Sequence, residues 1–475
     1  MSTTTETPPI GGVITDVARP QLRSNILRLP ECLGQSVANI APTLTPALNI
    51  SVVAGLAGVG SWLGYLIATI GMLFVSANIA TLARRHPLSG SYFVYIGRTF
   101  GPFAGMIAGW SMIAAYLVCA VAVTVSETLF LDNVLIAFGL KAFLPPGWLI
   151  SVLFLALVWL AAYRDIRMSS RVALVLEGVS ISIIVVITAI VVARHGTIID
   201  PVQLNIAKLP FGGVMSALAF AVFSFVGFES AATLAKETRD PERTVPLAVN
   251  LSAVLVGIFF VLMAYFMVLG MDDKADVIGN SSSPFAEMTA GAGLASAAGV
   301  VYFAALISGF ACALASVNAG ARLIFSMGRY KFFSRHMGRV HETHQTPHFA
   351  VTLSVLFALV VSLALLPQGA LNAFGYAGTF STFGFLVVYM LICLVSPVDQ
   401  RKAGVLKPQH IALGVIGAAL MAFVVFGSLY PVPPYPYNII PYLFAIYLAI
   451  GAAWFGYLKA RAPHVLATME HDMEA

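Results

Sequence analysis

Charged residues are scarce in this chain of 475 amino acids. Asp, Glu, Lys and Arg make up 10% of it, whereas a soluble domain carries roughly 25%. Hydrophobic residues make up 59%. So little charge excludes a soluble protein with an ordinary water-facing surface. It predicts an all-α polytopic membrane protein, in which each crossing needs about 20 mainly apolar residues.

Signals for enzymes and cofactors are also missing. The four cysteines lie in or at the edge of apolar segments, and their spacing matches no metal or redox motif. No histidine falls in the middle of an apolar segment, which argues against a haem-carrying or His-ligated metal enzyme. A GxxxxGK loop, which an ATP-driven pump would use, is absent from the sequence. We therefore expect no enzyme activity, no cofactor and no metal site.

Apolar segments of membrane-spanning length occur throughout the sequence, and none of the stretches between them is long enough for a folded extramembrane domain. We expect no cleaved signal peptide before the first segment. The twelve predicted spans are 33–57, 60–83, 102–130, 146–163, 172–193, 211–235, 246–270, 293–327, 349–366, 370–396, 410–429 and 439–459.

The basic residues are distributed unevenly between the two sides of this layout. If the N-terminus is cytoplasmic, 22 of the 26 Lys and Arg residues fall on the cytoplasmic side. The outer side holds only Lys141, Arg194, Lys208 and Lys274. The positive-inside rule therefore predicts a plasma-membrane protein with both termini in the cytoplasm. The net charge of +5 is explained by topology, and no nucleic-acid partner is expected.

The first apolar segment contains NIAPTLTPALN at 39–49, a sequence that a continuous membrane helix should avoid. Pro42 and Pro46 each remove a helix N–H, and Pro46 would clash with the carbonyl four residues earlier. Thr45 followed by Pro46 is typical of a helix start. The pattern predicts half-helices at about 33–40 and 46–57, joined by unwound chain at 41–45. A simple proline kink is the alternative.

The sixth segment is interrupted as well. Within AFAVFSFVGFESAATLAKETRDPERTVP, the stretch VGFES at 226–230 places a glycine and a carboxylate in an apolar run. A charged side chain at membrane depth costs roughly 3 kcal/mol, so Glu229 is a candidate functional group. Ser230 is expected to cap a second half-helix at about 231–238. The charged run that follows is expected to form a cytoplasmic network, with restraint of an inner gate as a further possibility.

Broken helices at positions one and six of twelve imply a repeat of five spans. Such pairs are typical of secondary transporters with inverted repeats, which hold substrate at the breaks near the membrane midplane. Helix N-termini offer N–H groups to an anion, and unwound carbonyls can hold an ammonium group or a cation. An amino acid carries both charges in one small molecule.

Three stretches carry a resemblance to a known family. They are FSFVGFESAATLAKETRDPERTVP, HPLSGSYFVYIGRTFGPFAGMIAGW at 86–110, and ASVNAGARLIFSMGR at 315–329 followed by TP at 346–347. Together with the twelve-span layout, they resemble the amino acid–polyamine–organocation (APC) superfamily over roughly residues 30–460. The resemblance implies transport by alternating access around a central site.

The resemblance also implies a leucine-transporter-type fold with a 5+5 inverted repeat. Spans 1–5 would occupy 31–200 and spans 6–10 would occupy 201–397. Two peripheral spans would follow at 398–460. Residues 1–30 and 461–475 would be cytoplasmic tails.

Roles for individual residues follow from the same resemblance. The first break would bind the substrate carboxylate, and 225–227 would bind its amine. Phe223 would close over the substrate as a gate, and Glu229 matches a glutamate linked to proton sensing in some relatives. The implied substrate-binding residues are Ala41, Thr43, Leu44, Thr45, Tyr116, Phe223, Phe225, Val226 and Gly227.

This sequence departs from the family pattern in three places. Many members have a glycine-rich first break, but here it reads Pro-Thr-Leu-Thr-Pro, which leaves room for an amine substrate without a carboxylate. Some proton-coupled relatives carry a fifth-span lysine, where this chain has Ser180. The family often has an acidic residue after the eighth-span arginine, where this chain continues with Tyr330 and Lys331.

Three carboxylates lie within the predicted spans. Glu127 is expected at a wetted helix end, and Glu177 is expected to face an inner vestibule or to pair with a basic loop residue. Glu229 is the strongest candidate for proton coupling, because burial favours the protonated form of a carboxyl group. Glu177 is the second candidate, and for Glu229 a hydrogen-bonded anchor is the alternative. A wider occluding gate would consist of Phe223, Phe225, Phe228, Phe374 and Tyr376.

The leading hypothesis is a secondary active transporter for amino acids or related amines, working by proton-coupled symport or exchange. The expected partners are a small-molecule substrate, a proton and the lipid bilayer. A polyamine or amine carrier without carboxylate recognition is one alternative. An inorganic-cation transporter or channel on the same fold is another.

Overall fold

The computed structural model describes residues 22, 24–86, 91–164, 166–281, 283–334, 336–430, 432–433 and 435–461. Most of the predicted cytoplasmic tails lies outside these residues, including Arg19 and Arg23 of the charge count. Residues 87–90 of the stretch 86–110 also lie outside them.

The described chain is helical, and its extended pairing amounts to one isolated bridge between Leu27 and Thr238. Short 3-10 turns and one π-helical turn connect the longer elements. In the part that the structure describes, the α-helices are α1 (Leu29–Ile40), α2 (Ile50–Ala57), α3 (Ser61–Arg85), α4 (Ser91–Phe100), α5 (Pro102–Ala137), α6 (Gly147–Arg164), α7 (Ile166–His195), α8 (Phe211–Phe223), α9 (Pro241–Gly270), α10 (Ala275–Asn280), α11 (Pro284–Gly291), α12 (Ala297–Arg329), α13 (His348–Leu365), α14 (Ala370–Lys402), α15 (Pro408–Gly427) and α16 (Ile440–Arg461).

The helices are those of a multi-pass membrane protein. Among the described residues, ten helical stretches are long and apolar enough to cross a bilayer, compared with twelve predicted spans. The difference arises at the two breaks. The stretch from Leu29 to Arg85, which holds two predicted spans, is counted as one helical stretch of 57 residues. Helix α8 is too short to be counted as a membrane-spanning helix.

A helix that the sequence analysis left inside a loop precedes α5. This helix, α4, has only ten residues, but side chains such as Tyr92, Phe93 and Tyr95 are fully buried. It ends at Gly101, whose φ of +92° favours glycine, and Pro102 then begins α5 at a position that suits proline. A ten-residue helix is too short to be found by a search for membrane-length segments.

The core of the bundle is built around α5. This helix packs along α12 and α14, while α3 packs along α9, and α1 contacts α7, α9 and α12. In its most apolar stretch, 89% of the α5 residues are buried, against 28% in α6 and α15 and 22% in the last helix. The two breaks therefore lie in a buried core, with α6, α13, α15 and α16 at the periphery.

Candidate functional site between two helix breaks

The first break follows α1. Ala41 adopts a left-handed conformation with φ 52° and ψ 65°, and Pro42 follows it. The chain becomes helical again through a π-helical turn, Thr45–Asn49, which leads into α2. Pro46 lacks the N–H of a regular helix, and a wider turn accommodates it. The first segment is divided where the sequence predicted it, but helical structure resumes at Leu44 rather than at Pro46.

The second break follows α8. The chain leaves the helix after Phe223, turns through 224–229 and continues as a 3-10 helix, Ser230–Glu237. Gly227 has a φ of +93°, which suits only glycine. The break therefore begins two residues earlier than predicted, and its second half is 3-10 rather than α-helical.

The predicted capping role of Ser230 is wrong. Its hydroxyl donates to the carbonyl of Gln35 at 3.2 Å, so it binds α1 instead of its own helix end. The N–H of Ala231 donates to the hydroxyl of Ser36 at 3.1 Å in the same place. Both bonds join the segment after the second break to the helix before the first one.

Asn39 lies where the two breaks meet. Its Oδ1 accepts a hydrogen bond of 2.6 Å from Ser316 of α12, and its amide nitrogen lies against the bare backbone of Gly227. That nitrogen is buried and has no hydrogen-bond partner among the residues that the structure describes. Asn39 is not among the site residues predicted from the sequence. The available signal was an amide at the end of an apolar helix, one turn before a proline.

A second contact joins the breaks on their other flank. The side-chain amide of Asn49, at the end of the π-helical turn, donates to the Phe220 carbonyl at 3.0 Å and to the Ser224 hydroxyl at 2.5 Å. The hydroxyls of Tyr65 and Ser224 are 3.2 Å apart. The breaks, which are far apart in sequence, therefore form one polar region inside an apolar bundle.

Glu229 belongs to this region and is fully buried. Tyr116 donates to its Oε1 at 2.8 Å, and Tyr389 donates to its Oε2 at 2.5 Å. Tyr92 donates to its backbone carbonyl at 2.8 Å. In the described chain, no Lys, Arg or His forms an ion pair with the carboxylate. The structure thus brings the predicted residues Tyr116 and Glu229 together and adds two tyrosines that the sequence analysis missed.

Glu177 forms a second polar cluster on the side of the first break. Ser308 donates to its Oε1 at 2.8 Å, and Ser180 donates to its Oε2 at 3.2 Å. Thr43 of the first break donates to Ser180 at 3.0 Å. The expected vestibule or basic partner is not observed. The carboxylate is 1% exposed and forms no ion pair within the described residues.

Glu127 is not at a wetted helix end, as the sequence analysis expected. It is 2% exposed because α5 continues ten residues beyond it to Ala137. Its carboxyl group lies against Gly309 of α12, and its Oε1 has no hydrogen-bond partner among the described residues. Glu127, Glu177 and Glu229 are therefore all buried in the bundle without an ion pair among the described residues.

Comparisons with known proteins show the family of the chain. The model of the amino acid permease family matches residues 32–459. The chain belongs to this family. It is 27% identical to a low-affinity putrescine importer of Escherichia coli strain K12, over 77% of this chain and 81% of that one. It is 25% identical to a branched-chain amino acid permease of Lactococcus lactis, over 81% of this chain and 84% of that one. A D-serine/D-alanine/glycine transporter of Escherichia coli is also 25% identical, over 76% of this chain and 78% of that one.

The five aromatic residues of the gate predicted for this permease do not form one cluster. Phe223 packs on α14, with its ring centroid 6.0 Å from that of Phe374 and its edge against Gly378. Phe225 instead packs at 5.2 Å against Phe260 of α9. The remaining members of the predicted gate are also apart: Phe228 packs on Tyr389, and Tyr376 packs on Tyr437.

The other predicted binding residues are buried around the breaks. Val226, Leu44 and Thr45 have little exposure, so any contact they make with a substrate requires an enclosed site.

An ion pair lies beyond the second break, in the charged run of the sixth segment. Arg322 of α12 donates to both carboxylate oxygens of Glu237, at 2.6 and 3.0 Å, and both side chains are almost completely buried. The adjacent backbone pairs with the segment before α1: the N–H groups of Ile26 and Leu27 donate to the Glu237 carbonyl at 2.9 Å. One member of the expected cytoplasmic network therefore fixes the chain directly after the site.

Proposed function

We propose that this permease is a secondary active transporter that moves amino acids or related amines across the plasma membrane by alternating access. The observation that carries the proposal is the contact between two helix breaks in the buried core, at Asn39 and Gly227. Unwound backbone at membrane depth is tolerated where it is buried in protein or lines a cavity. Paired breaks of this kind are typical of transporter binding sites.

The topology we propose has twelve crossings, with both termini in the cytoplasm. One broken crossing consists of α1, the π-helical turn and α2, and another consists of α8 and the 3-10 helix Ser230–Glu237. Five crossings would form each inverted repeat, and α15 and α16 would be peripheral, as their low burial supports.

The substrate would lie between the two breaks. Its carboxylate would bind at 41–45, and its amine would bind the carbonyls at 225–227. The partnerless amide nitrogen of Asn39 adds a donor for a carboxylate at the same point. Phe223, which is half-buried and packs on α14, would close over the substrate.

Glu229 is the proton-coupling residue in this proposal, and Glu177 is the second candidate. Both are buried without a cationic partner in the described chain, a costly state for an ionised carboxylate. Binding a proton, or a cationic substrate, would remove that cost. Glu229 lies inside the second break, so a change in its charge would act directly on the site.

A carrier of amines without a carboxylate is the second candidate function. The three buried glutamates that form no ion pair in the described chain and the absence of glycine from the first break both favour a cationic substrate. The similarity to a putrescine importer is consistent with this candidate, while the similarity to amino acid permeases favours the first.

Thermal stabilisation of the purified protein by ligands tests both candidate functions. The panel would contain amino acids, their decarboxylated amines, polyamines and nucleobases, with and without sodium. A ligand at 100 times its Kd stabilises the folded state by about 2.7 kcal/mol. Stabilisation restricted to molecules with both groups would support carboxylate recognition, and equal stabilisation by amines would support the amine carrier.

Uptake into proteoliposomes completes the test. Stabilising ligands should be taken up saturably, and a proton gradient should drive or change that uptake. Absence of both stabilisation and uptake across the panel would contradict the proposal. Ion currents without saturable organic uptake would instead support a cation channel.

A further inference from the structure

A large apolar groove lies away from the two breaks. It is formed by α5, α12, α13, α14 and α16 together with the segment after α12, and its volume is about 640 Å³. Its lining is almost entirely aliphatic and aromatic. Trp110 and Tyr447 use their polar atoms on each other's backbone carbonyls, at 3.0 and 2.9 Å. The groove therefore offers apolar surface and little hydrogen bonding to a ligand.

The groove runs along the axis of α13. Leu353, Phe357, Val361 and Leu365 line it at every fourth position of α13. Twelve residues of helix span about 18 Å, slightly more than half of a hydrocarbon core that is about 30 Å thick. Leu353 and Phe357 are 44% and 38% exposed, so the groove is accessible from the side that faces lipid.

Two basic residues flank, in the sequence, the segment that lines one end of the groove. Phe333, Ser334 and Met337 line that end, between Lys331 and Arg339 in the sequence. Within the described residues, neither of these two basic side chains forms an ion pair, and Arg339 is exposed. The topology proposed above places this segment at the cytoplasmic surface.

We propose that the groove binds an acyl chain of an anionic glycerophospholipid from the cytoplasmic leaflet, with its phosphate at Lys331 and Arg339. The groove matches the chain in polarity and in length along the membrane normal. The basic end supplies positive charge for an anionic headgroup, as basic pockets between membrane helices do. The proposal rests on the topology of the proposed transporter and not on its substrate.

A second copy of the protein fits this surface less well. A two-fold axis along the membrane normal would bring the basic ends of both grooves to the same membrane surface, close to one another. Like charges brought together at a membrane surface repel, whereas a phospholipid headgroup neutralises them. Charge complementarity therefore favours the lipid.

Native mass spectrometry of the full-length protein tests the proposal. Palmitoyl-oleoyl phosphatidylglycerol and phosphatidylcholine would be titrated separately, since they share acyl chains and differ in headgroup charge. We expect phosphatidylglycerol to bind about tenfold more tightly. K331Q/R339Q should abolish the difference. R401Q/K407Q, which removes two exposed basic residues elsewhere, should retain it.

A second pair of variants tests the groove itself. Val361→Trp fills the groove and should weaken binding of both lipids at least fivefold. Val360→Trp, at a position that is 65% exposed on the neighbouring face of α13, should leave binding unchanged. If Val361→Trp does not fold, the surface variant K331Q/R339Q still decides the headgroup contact.

Three outcomes would overturn the proposal. One is equal binding of the two lipids by the wild type. Another is selective binding that neither K331Q/R339Q nor Val361→Trp changes. The third is a lipid-free dimer that Val361→Trp dissociates, which would identify a second copy as the occupant. Uptake assays on the same preparations report separately on the transport proposal, because lipid binding is measured without any substrate.

Discussion

The two helix breaks both turn the backbone out of the helical conformation, but they use different residues to do so. Each turns through one residue of left-handed conformation, Ala41 in the first break and Gly227 in the second. A side chain at Gly227 would collide with Asn39, so packing as well as backbone conformation requires glycine there. Ala41 carries a side chain in a conformation that costs roughly 1–2 kcal/mol for L-residues. The glycine of the second break is thus required by the neighbouring Asn39, whereas the alanine of the first break adopts its conformation at an energetic cost.

The breaks also differ in the chemistry that holds them. Thr43 of the first break contacts Glu177 through Ser180, so a carboxylate reaches it indirectly. The second break contains its own carboxylate, Glu229, which two tyrosine hydroxyls bind. A change in charge should therefore affect the second break more directly than the first.

Gly227→Ala should have the largest effect, because the added methyl group would collide with the side chain of Asn39. Left-handed strain and overpacking together should destabilise the protein by about 3 kcal/mol and abolish uptake. The control is Gly212→Ala in α8, where an added Cβ meets no neighbour. Thermal unfolding in detergent measures both, and equal melting temperatures for the two variants would refute the packing argument.

Glu229→Gln should have the second-largest effect. The variant retains the size of the side chain but removes its charge, and hydrogen bonds to charged groups contribute about 1.5–3 kcal/mol. Uptake should fall at least about tenfold and lose its dependence on pH. Tyr116→Phe removes one of the two donors and should retain the pH dependence. Unchanged pH dependence and gradient-driven uptake in Glu229→Gln would show that the proton binds elsewhere, with Glu177 the next residue to test.

Asn39→Ala should have an intermediate effect, on binding as well as on stability, because Ser316 also loses its acceptor. Losing one hydrogen-bonding side chain between the breaks should cost about 1 kcal/mol and raise the KM for uptake about fivefold. Asn78→Ala is the matched control, since this buried amide bonds to the Leu413 carbonyl, away from the breaks. It should lower the melting temperature without changing KM. Equal changes in KM for both variants would mean that Asn39 acts only through stability.

Ala41→Gly should have the smallest effect and the opposite sign. Glycine removes the left-handed strain, so the melting temperature should rise, by an amount equivalent to about 1 kcal/mol or less. Ala54→Gly, in the regular part of α2, should lower stability by about 1 kcal/mol. A loss of stability in Ala41→Gly would show that the first break is not strained.

The sequence allowed the helical segments and both breaks to be predicted, because proline and glycine act locally on the backbone. It also indicated Glu229, since a carboxylate is conspicuous in an apolar run. The partners of Glu229 could not be predicted, because Tyr116 and Tyr389 lie 113 and 160 residues away in the chain. The burial of Glu127 was missed for a simpler reason, since composition did not show that α5 extends to Ala137.

The ion pair between Arg322 and Glu237 has a mechanical consequence. Separating a buried pair leaves uncompensated charge, so α12 and the 3-10 helix after the second break should move as one rigid body. In the proposed alternating-access cycle, an inner opening would then rotate α1, which is attached to that body by backbone hydrogen bonds from Ile26 and Leu27. The first break would be the hinge of this rotation. Because α1 is about 18 Å long, a rotation of about 10° there displaces its far end by about 3 Å.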